Sequence, residues 1–395
     1  STKIKEIFED IQPLIQKEEF DQALEKVNSA IELNQRNLSL IIFKAKILCL
    51  SKEFNKAIKI LKKGIRDFPN IKDDQIYTSY FFILAYSYIA RGRFEAALNI
   101  TKKIYKLYPN HPISYATRAL VLGHNIIYIF NKEKANEDYA LDDIDKAISL
   151  DPNKSNKARY YQFKSIILQI MEKYDEAIKA IDSGIDLDPK IIDLYLTKTK
   201  ILVSNKQLEQ ALSLVEDKIK EFPNDNKTFY MKKIWILKLK GNLDEGLELI
   251  EKLIKLYPED PDILNTQAYW FMYMKNKQKA IETIQQLIKL EPKNGNYYDS
   301  NGEILMEFKE YEKAIEKFQK ALKLDPYGWF SYETYYKMGL CYKELGKIEP
   351  AIENIEKGKK ITNTCLCDFE TKKSLIKKID NQLMEIKELQ EKSGF

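Results

Sequence analysis

Apolar and small residues recur along the chain in a fixed order between charged segments. Near the C-terminal end, apolar residues follow one another at spacings of three, four and three residues: Ile376, Ile379, Leu383 and Ile386. This spacing places them on one face of a helix and predicts a helix within 366–395. The low counts of Gly, 13, and Pro, 12, among 395 residues favour a mostly helical chain as a whole.

Prolines mark a regular period along the chain. Five prolines follow one another at intervals of 34, 35, 34 and 34 residues: Pro189, Pro223, Pro258, Pro292 and Pro326. A small residue stands twelve positions before each of eight prolines: Ala57, Ala97, Ala140, Ala177, Ala211, Gly246, Ala280 and Ala314. Ala23 and Ala351 extend this series outward. Such a period is typical of a repeat array whose members stack on their neighbours.

Further positions of the period carry residues of constant character. An apolar or aromatic residue usually precedes the small residue by three positions, and another small residue often precedes it by twelve. The segment 295–328 carries the most complete set: Tyr298, Asn301, Gly302, Tyr311, Ala314, Phe318, Ala321 and Pro326. This pattern resembles the tetratricopeptide repeat. The resemblance implies an all-α, right-handed superhelical solenoid of antiparallel helix pairs, completed by a C-terminal capping helix.

The register predicts ten repeats over residues 4–365, followed by the capping helix and tail at 366–395. The predicted repeats are 4–37, 38–71, 78–111, 112–154, 158–191, 192–225, 227–260, 261–294, 295–328 and 332–365. They form one continuous array, in which residues 72–77 and 155–157 are candidate points of flexure. Nine extra residues around Gly123–Asn136 are expected to lengthen the first helix of the fourth repeat and its turn. They either pack against a neighbouring helix or contact a partner or a second copy.

The resemblance implies that the first helix of each repeat lines a concave groove. The residues predicted to bind a partner there are Phe82, Ile83, Tyr86, Phe163, Ile166, Met231, Trp235, Tyr269, Met272 and Tyr273. Polar residues are predicted to form rungs between them: Thr117, Thr197, Thr266 and Ser300. Acidic residues enter at the C-terminal end: Asp299, Glu303, Glu307 and Glu333. Aromatic and Met side chains are typical anchors for a peptide, although helices that pack tightly would bury some of them.

Known ligand sets of the family are missing from these groove positions. No three consecutive repeats carry the Lys, Asn and Arg set that grips the C-terminal carboxylate of heat-shock chaperones. The asparagine ladder of the sugar-transferring members is absent as well. The resemblance therefore indicates a groove with an undetermined protein or peptide partner.

Composition and charge exclude several other classes of protein. A hydrophobic fraction of 44% with a charged fraction of 31% is too apolar for a wholly disordered chain. The net charge of +5 comes from 64 basic and 59 acidic residues that are mixed along the chain, which argues against a nucleic-acid binder. No apolar run reaches the length of a membrane span. Four scattered cysteines favour a reducing compartment, and we predict a cytoplasmic protein.

The residues that could carry chemistry are few. His111 and His124 are the only histidines, and neither has a partner at metal-ligand spacing. Cys365 and Cys367 lack a second cysteine pair, and no glycine-rich phosphate loop is present. We therefore predict no catalytic residues, no cofactor, no metal and no small-molecule substrate, and hence no enzyme.

These observations lead to one main hypothesis and two alternatives. The main hypothesis is a non-catalytic protein–protein interaction scaffold that binds a partner peptide or helix in an aromatic and aliphatic concave groove. The first alternative is a self-association module, in which outer helix faces, the extra residues of the fourth repeat or the tail form a homo-oligomer. The second is an RNA-binding helical-repeat protein, since related helical repeats bind single strands.

Overall fold

In the computed structural model, the described part of the chain consists of α-helices and the turns between them, with no strand. The residues described are 2–16, 19–34, 37–51, 53–68, 74–91, 93–128, 135–223, 226–326, 330–364 and 369–392. The all-α prediction is therefore confirmed. Contacts between residues divide the chain into two compact units, Ser1–Ile201 and Leu202–Phe395, here called the N-terminal and C-terminal units.

The helices follow one another with short turns between them. Those that begin in the N-terminal unit are α1 Thr2–Gln16, α2 Phe20–Leu33, α3 Leu38–Leu50, α4 Phe54–Asp67, α5 Asp74–Ala90, α6 Phe94–Leu107, α7 Pro112–Tyr128, α8 Ala135–Leu150, α9 Lys154–Ile170, α10 Tyr174–Leu187 and α11 Ile192–Ser204. The C-terminal unit begins inside α11 and contains α12 Leu208–Glu221, α13 Asn226–Lys240, α14 Leu243–Leu256, α15 Pro261–Tyr273, α16 Lys277–Leu290, α17 Gly295–Glu307, α18 Tyr311–Leu324, α19 Ser331–Glu344, α20 Ile348–Thr364 and α21 Phe369–Lys392.

Consecutive helices pack in pairs within each unit. Helix α9 packs on α10 in the N-terminal unit, and α17 packs on α18 and α19 on α20 in the C-terminal unit. The first helices of neighbouring pairs also contact one another, as α15 does with α17 and α17 with α19. This arrangement gives each first helix one face on its own partner and one on its neighbours.

Glycines on the first or second helix of a pair allow a close approach of the two backbones. A Cβ at Gly184 would lie 2.9 Å from the backbone oxygen of Ala158, and one at Gly339 would lie 2.9 Å from that of Ala351. A Cβ at Gly302 would lie 2.6 Å from the Phe318 ring. The small residues of the sequence pattern therefore stand where a larger side chain would push the helices apart.

The turn inside a pair adopts a left-handed backbone at a recurring place. Four of these residues are not glycine: Glu172, Lys206, Lys275 and Lys309 have φ values of 59°, 59°, 60° and 62°. Gly241 and Gly346 occupy the corresponding turns of two other pairs, with φ values of 78° and 71°. A left-handed residue ends a helix by turning the chain away from its axis. In five of these pairs the first helix ends two residues before the left-handed residue, and α13 ends directly before Gly241.

The predicted capping helix is confirmed as α21. Its buried residues Ile379, Leu383 and Ile386 pack with Ile355 of α20 and Tyr332 of α19. Lys343 of α19 donates a hydrogen bond to Gln382 at 2.9 Å and pairs with Glu385 at 2.9 Å. The helix thus covers apolar surface of the last pair that would otherwise meet water.

The irregular segments of the sequence are partly helical in the structure. Residues 155–157 lie in the first turn of α9 and extend that helix, so they do not form a flexible joint. Helix α7 has 17 residues, the same number as the neighbouring first helices α5 and α9, so its described part shows no lengthening from the extra residues. The remainder of its extra segment, 129–134, lies outside the described residues, as do Cys365 and Cys367. The number of repeats and their bounds stay a prediction.

One helix pair departs from the alanine pattern for a visible reason. Gly246 of α14 stands where other pairs have alanine, and a Cβ there would lie 1.9 Å from Cζ2 of Trp270. Trp270 of α15 is 1% exposed, and its indole nitrogen donates to the Leu243 carbonyl at 2.7 Å. The indole ring therefore occupies the space that an alanine methyl fills elsewhere.

We predict that Gly246→Ala destabilises the chain although alanine normally favours a helix by about 1 kcal/mol. Overlap with the indole should lower the free energy of unfolding by about 1–3 kcal/mol, measured by urea denaturation. In a Trp270→Phe background the same substitution should cost far less, because the overlapping atoms are gone. Equal effects of Gly246→Ala in both backgrounds would contradict this explanation.

Candidate protein-interaction groove

In the N-terminal unit, the aromatic rings of two predicted anchors stack on each other. Phe82 of α5 and Phe163 of α9 stack with centroids 5.9 Å apart and planes 26° apart. Helix α7 contacts both α5 and α9, and its Thr117 is fully buried. The Thr117 hydroxyl donates to the Ile113 carbonyl at 2.6 Å. Thr117 therefore cannot serve as an open rung, because neighbouring helices cover it.

The other predicted residues of this unit keep some exposed surface. Tyr86 is 37% exposed and meets the Phe54 ring edge-on with centroids 6.1 Å apart. Ile83 and Ile166 are half-buried. The hydroxyl of Thr197, also half-buried, donates to the Asp193 carbonyl and accepts from Gln162 Nε2, each at 2.8 Å.

In the C-terminal unit, three predicted aromatic anchors remain partly accessible. Trp235, Tyr269 and Tyr273 are all half-buried. The two tyrosine rings stack with centroids 6.3 Å apart and planes 24° apart. Lys238 Nζ of α13 lies 4.1 Å from the Tyr273 centroid, and Lys232 Nζ lies 5.5 Å from that of Trp235. The Lys238 contact joins α13 to an aromatic residue of α15, whereas the Lys232 contact lies within α13.

Two predicted residues of this unit have almost no exposed surface. Met272 is 5% exposed and packs in the core with Ala280 and Ile304, so it is not available as an anchor. Ser300 is 2% exposed and donates to the Asn296 carbonyl at 3.1 Å, which removes it as an open rung. Half-buried Met231 also packs on a core cluster, and the half-buried Thr266 hydroxyl donates to the Asp262 carbonyl at 2.7 Å.

A buried polar network joins α15, α17 and α19 beside these rings. Lys337 Nζ donates to Asp299 Oδ2 and to Glu303 Oε2, each at 2.8 Å. The Thr334 hydroxyl donates to Asp299 Oδ1 at 2.6 Å, and the Tyr269 hydroxyl donates to Glu303 Oε2 at 3.0 Å. The network crosses three neighbouring helices and fixes how they align.

Burial and charge act against each other in this network. Burial alone would lower the pKa of Lys337, but Asp299 and Glu303 raise it well above its usual range. Burial likewise favours a higher pKa for Glu303, yet attraction to Lys337 leaves that pKa lowered. The pKa of Asp299 is raised because its burial outweighs the attraction of Lys337. The lysine therefore remains charged and stabilises the carboxylates around it.

Sequence models of the family match five segments of the chain. The tetratricopeptide repeat matches residues 80–111, 158–191, 266–294, 295–327 and 332–365. Each match falls on helices that pack in the pairwise manner described above. The chain contains tetratricopeptide repeats. Such repeats are typical of protein-interaction scaffolds, which agrees with the main hypothesis at this general level.

Comparison with whole proteins adds one relative to this tetratricopeptide repeat chain. A TPR repeat-containing protein of Methanocaldococcus jannaschii is 25% identical over 246 residues. The alignment covers 51% of the present chain and 41% of that protein, so the chain spans less than half of its relative's length.

Two solved structures are similar at low sequence identity. A monomeric mutant of human IFIT1 with Gppp-AAAA has a TM-score of 0.48 and 16% identity, covering 90% of this chain and 84% of that one. Yeast Tom70 has a TM-score of 0.44 and 14% identity, covering 98% and 96%. The family assignment rests on the sequence matches and on the helix pairs.

The described part of the tetratricopeptide repeat chain lacks two further kinds of feature. No three His, Cys, Asp or Glu side chains there come together as a metal site would require. Within the same residues, no helix has both the length and the apolar character needed to cross a membrane.

Sequence reasoning placed Asp299 and Glu303 at the groove but missed the pairing of these two acidic residues with Lys337. Lys337 pairs with Asp299 and Glu303, which precede it by about one repeat. This separation in the sequence was the signal that could have predicted the two ion pairs. Lys46 was missed as well. Its pKa is lowered, first by loss of solvation and then by the Arg159 guanidinium of α9, while Asp193 of α11 opposes both effects.

We predict that Lys337→Ala lowers the free energy of unfolding by about 3–5 kcal/mol, because it leaves Asp299 and Glu303 buried without their cation. Urea denaturation measures the change. Lys359→Ala is the matched control, since Lys359 pairs with Asp380 while their side chains are 37% and 50% exposed. That surface pair should contribute about 0–1 kcal/mol. Equal losses for the two variants would show that the network is no stronger than a surface pair.

Proposed function

We propose that this chain is a non-catalytic scaffold that binds a partner polypeptide along the first helices of the C-terminal unit. The binding surface comprises the exposed side chains of α13, α15, α17 and α19, here called the C-terminal face. It includes the half-buried Trp235, Tyr269 and Tyr273, and it borders the buried polar network at α17 and α19. An extended or helical peptide would place apolar side chains against the rings.

The partly accessible aromatic residues of α13 and α15 are the observation that carries this proposal. Trp235, Tyr269 and Tyr273 are half-buried, and the two tyrosine rings stack on each other as Phe82 and Phe163 do. The two tyrosines are in addition held by polar partners, since Lys238 lies over the Tyr273 ring and the Tyr269 hydroxyl donates to Glu303. Rings fixed by neighbouring side chains lose little conformational freedom when a ligand covers them. Large aromatic residues supply much of the binding free energy at protein interfaces. The C-terminal face is therefore the better candidate of the two.

Self-association is the second candidate, supported by exposed leucines at the ends of the second helices. Leu33, Leu107, Leu256 and Leu290 are 85%, 48%, 58% and 46% exposed, and each ends a helix. Light scattering over a range of concentrations distinguishes the candidates, because a monomer that still binds peptide excludes assembly as the main role.

The RNA alternative has less support at the C-terminal face, where phosphates would meet the carboxylates of α17 and α19.

The experiment is a selection of random peptides of about 12 residues, roughly 40 Å when extended, on the immobilised chain. We expect peptides rich in apolar residues to be enriched. Trp235→Ala should weaken their binding by at least ~2 kcal/mol, about 30-fold in Kd, measured by fluorescence polarisation.

Tyr257→Ala provides the matched control for this aromatic truncation. Tyr257 is 37% exposed and is the C-cap residue of the second helix α14. Its loss should leave Kd unchanged. A selection that yields no binders, or equal Kd values for Trp235→Ala and the parent chain with unchanged melting curves, would refute the proposed surface.

A further inference from the structure

We infer that the C-terminal face selects partner segments in which a Lys or Arg side chain follows or precedes the apolar anchor. This inference rests on the proposed function and specifies the chemistry of its partner. The cationic side chain would bind at the α17–α19 end of the face, beside Glu333. The aromatic residues of α13 and α15 would hold the apolar part of the same segment.

The charges at this end of the face do not balance. Asp299, Glu303 and Glu333 contribute three carboxylates, and Lys337 is the cation bonded to two of them. Glu307, one turn beyond Glu303, is already paired with Lys275. With every group ionised, the three carboxylates and Lys337 carry two negative charges in excess. A positively charged ligand would complement this excess, whereas a negatively charged one would be repelled.

Glu333 is the carboxylate left without a cation. Within the described residues, no Lys or Arg nitrogen lies at ion-pair distance from it, and its hydrogen bond comes from the Tyr332 hydroxyl at 3.3 Å. Glu333 is half-buried at the start of α19. Burial raises its pKa, Lys337 opposes this rise, and Glu303 and Asp299 add to it. A partner ammonium or guanidinium would stabilise the ionised form of this carboxyl.

The neighbouring groups favour an organic cation on a peptide over a bare metal ion. Tyr269 donates its hydroxyl to Glu303 and stacks on Tyr273, so ring surface continues from the carboxylates toward α13. A Lys or Arg side chain can pack its methylene groups on such rings while its charged end reaches a carboxylate. An extended peptide would meet the rings and Glu333 together, because α15 and α17, and α17 and α19, lie side by side.

The α13 end of the C-terminal face carries positive charge, which is consistent with a partner cation that binds at the α19 end. Lys238 of α13 donates to the Tyr273 hydroxyl at 2.5 Å, and Lys232 lies over Trp235. Positive side chains thus border the aromatic residues on the α13 side, while carboxylates border them on the α17 and α19 side. A segment with its basic residue toward α19 matches this order, and the reverse orientation brings like charges together.

The test uses peptides selected on the full chain as described above. We expect the binders to contain more Lys and Arg than the starting library. For one binder, replacing its basic residue by Gln should weaken binding to the parent chain by about tenfold, measured by fluorescence polarisation. The same peptide change should weaken binding to the Glu333→Gln variant by less than about threefold, because the interacting carboxylate is gone.

Glu356→Gln is the matched control, since Glu356 is exposed on α20 of the same helix pair. It should retain the tenfold difference, and melting curves check that both variants fold. Binders without a basic excess, or equal losses on the parent chain and Glu333→Gln, would overturn the inference and leave the proposed function intact. A selection without binders would overturn the proposed function itself. Preferential binding of single-stranded RNA at this face would refute both.

Discussion

The close approach of the two helices in each pair is the constraint on which the rest of the structure depends. At Gly184 and Gly339, an added Cβ would lie 2.9 Å from a backbone oxygen of the partner helix, so neither position tolerates a larger residue without movement. Because small residues let the two backbones meet, the opposite face of each first helix is left for its neighbours and for ligands. Gly246 follows the same constraint, since the Trp270 indole fills the space of the missing methyl group.

The side-by-side first helices place chemically different residues on one surface. In the N-terminal unit Phe82 stacks on Phe163, and in the C-terminal unit Tyr269 stacks on Tyr273. In the C-terminal unit, a network around Lys337 ties α15, α17 and α19 together through two carboxylates. Buried ionic groups rarely add much net stability, but they penalise alternative alignments in which a charge loses its partner. We therefore regard Lys337 as a residue that positions the aromatic and acidic parts of the C-terminal face.

The repeat period and the capping helix could be predicted because both depend on local spacing of small and apolar residues. Contacts between repeats could not, because periodicity gives a residue's position on its helix and not the side chain that meets it. Met272 shows this limit: its predicted place on the groove lies in the core, against Ala280 and Ile304. The left-handed turns at Lys206 and Lys309 could not be predicted either, since lysine is not a residue type that favours a positive φ. Lys337 was missed because its partners belong to the preceding helix pair.

We propose that partners bind the first helices and not the second ones. Site-specific photo-cross-linking tests this claim most directly, with a photoreactive amino acid placed at Lys232 of α13 or, separately, at Glu282 of α16. Both chains would be irradiated with the same selected peptide, and cross-linked product would be quantified by mass spectrometry. We predict a peptide adduct from position 232 that excess unlabelled peptide suppresses, and none from position 282. Adducts from position 282 alone, or equal adducts from both positions, would contradict the account.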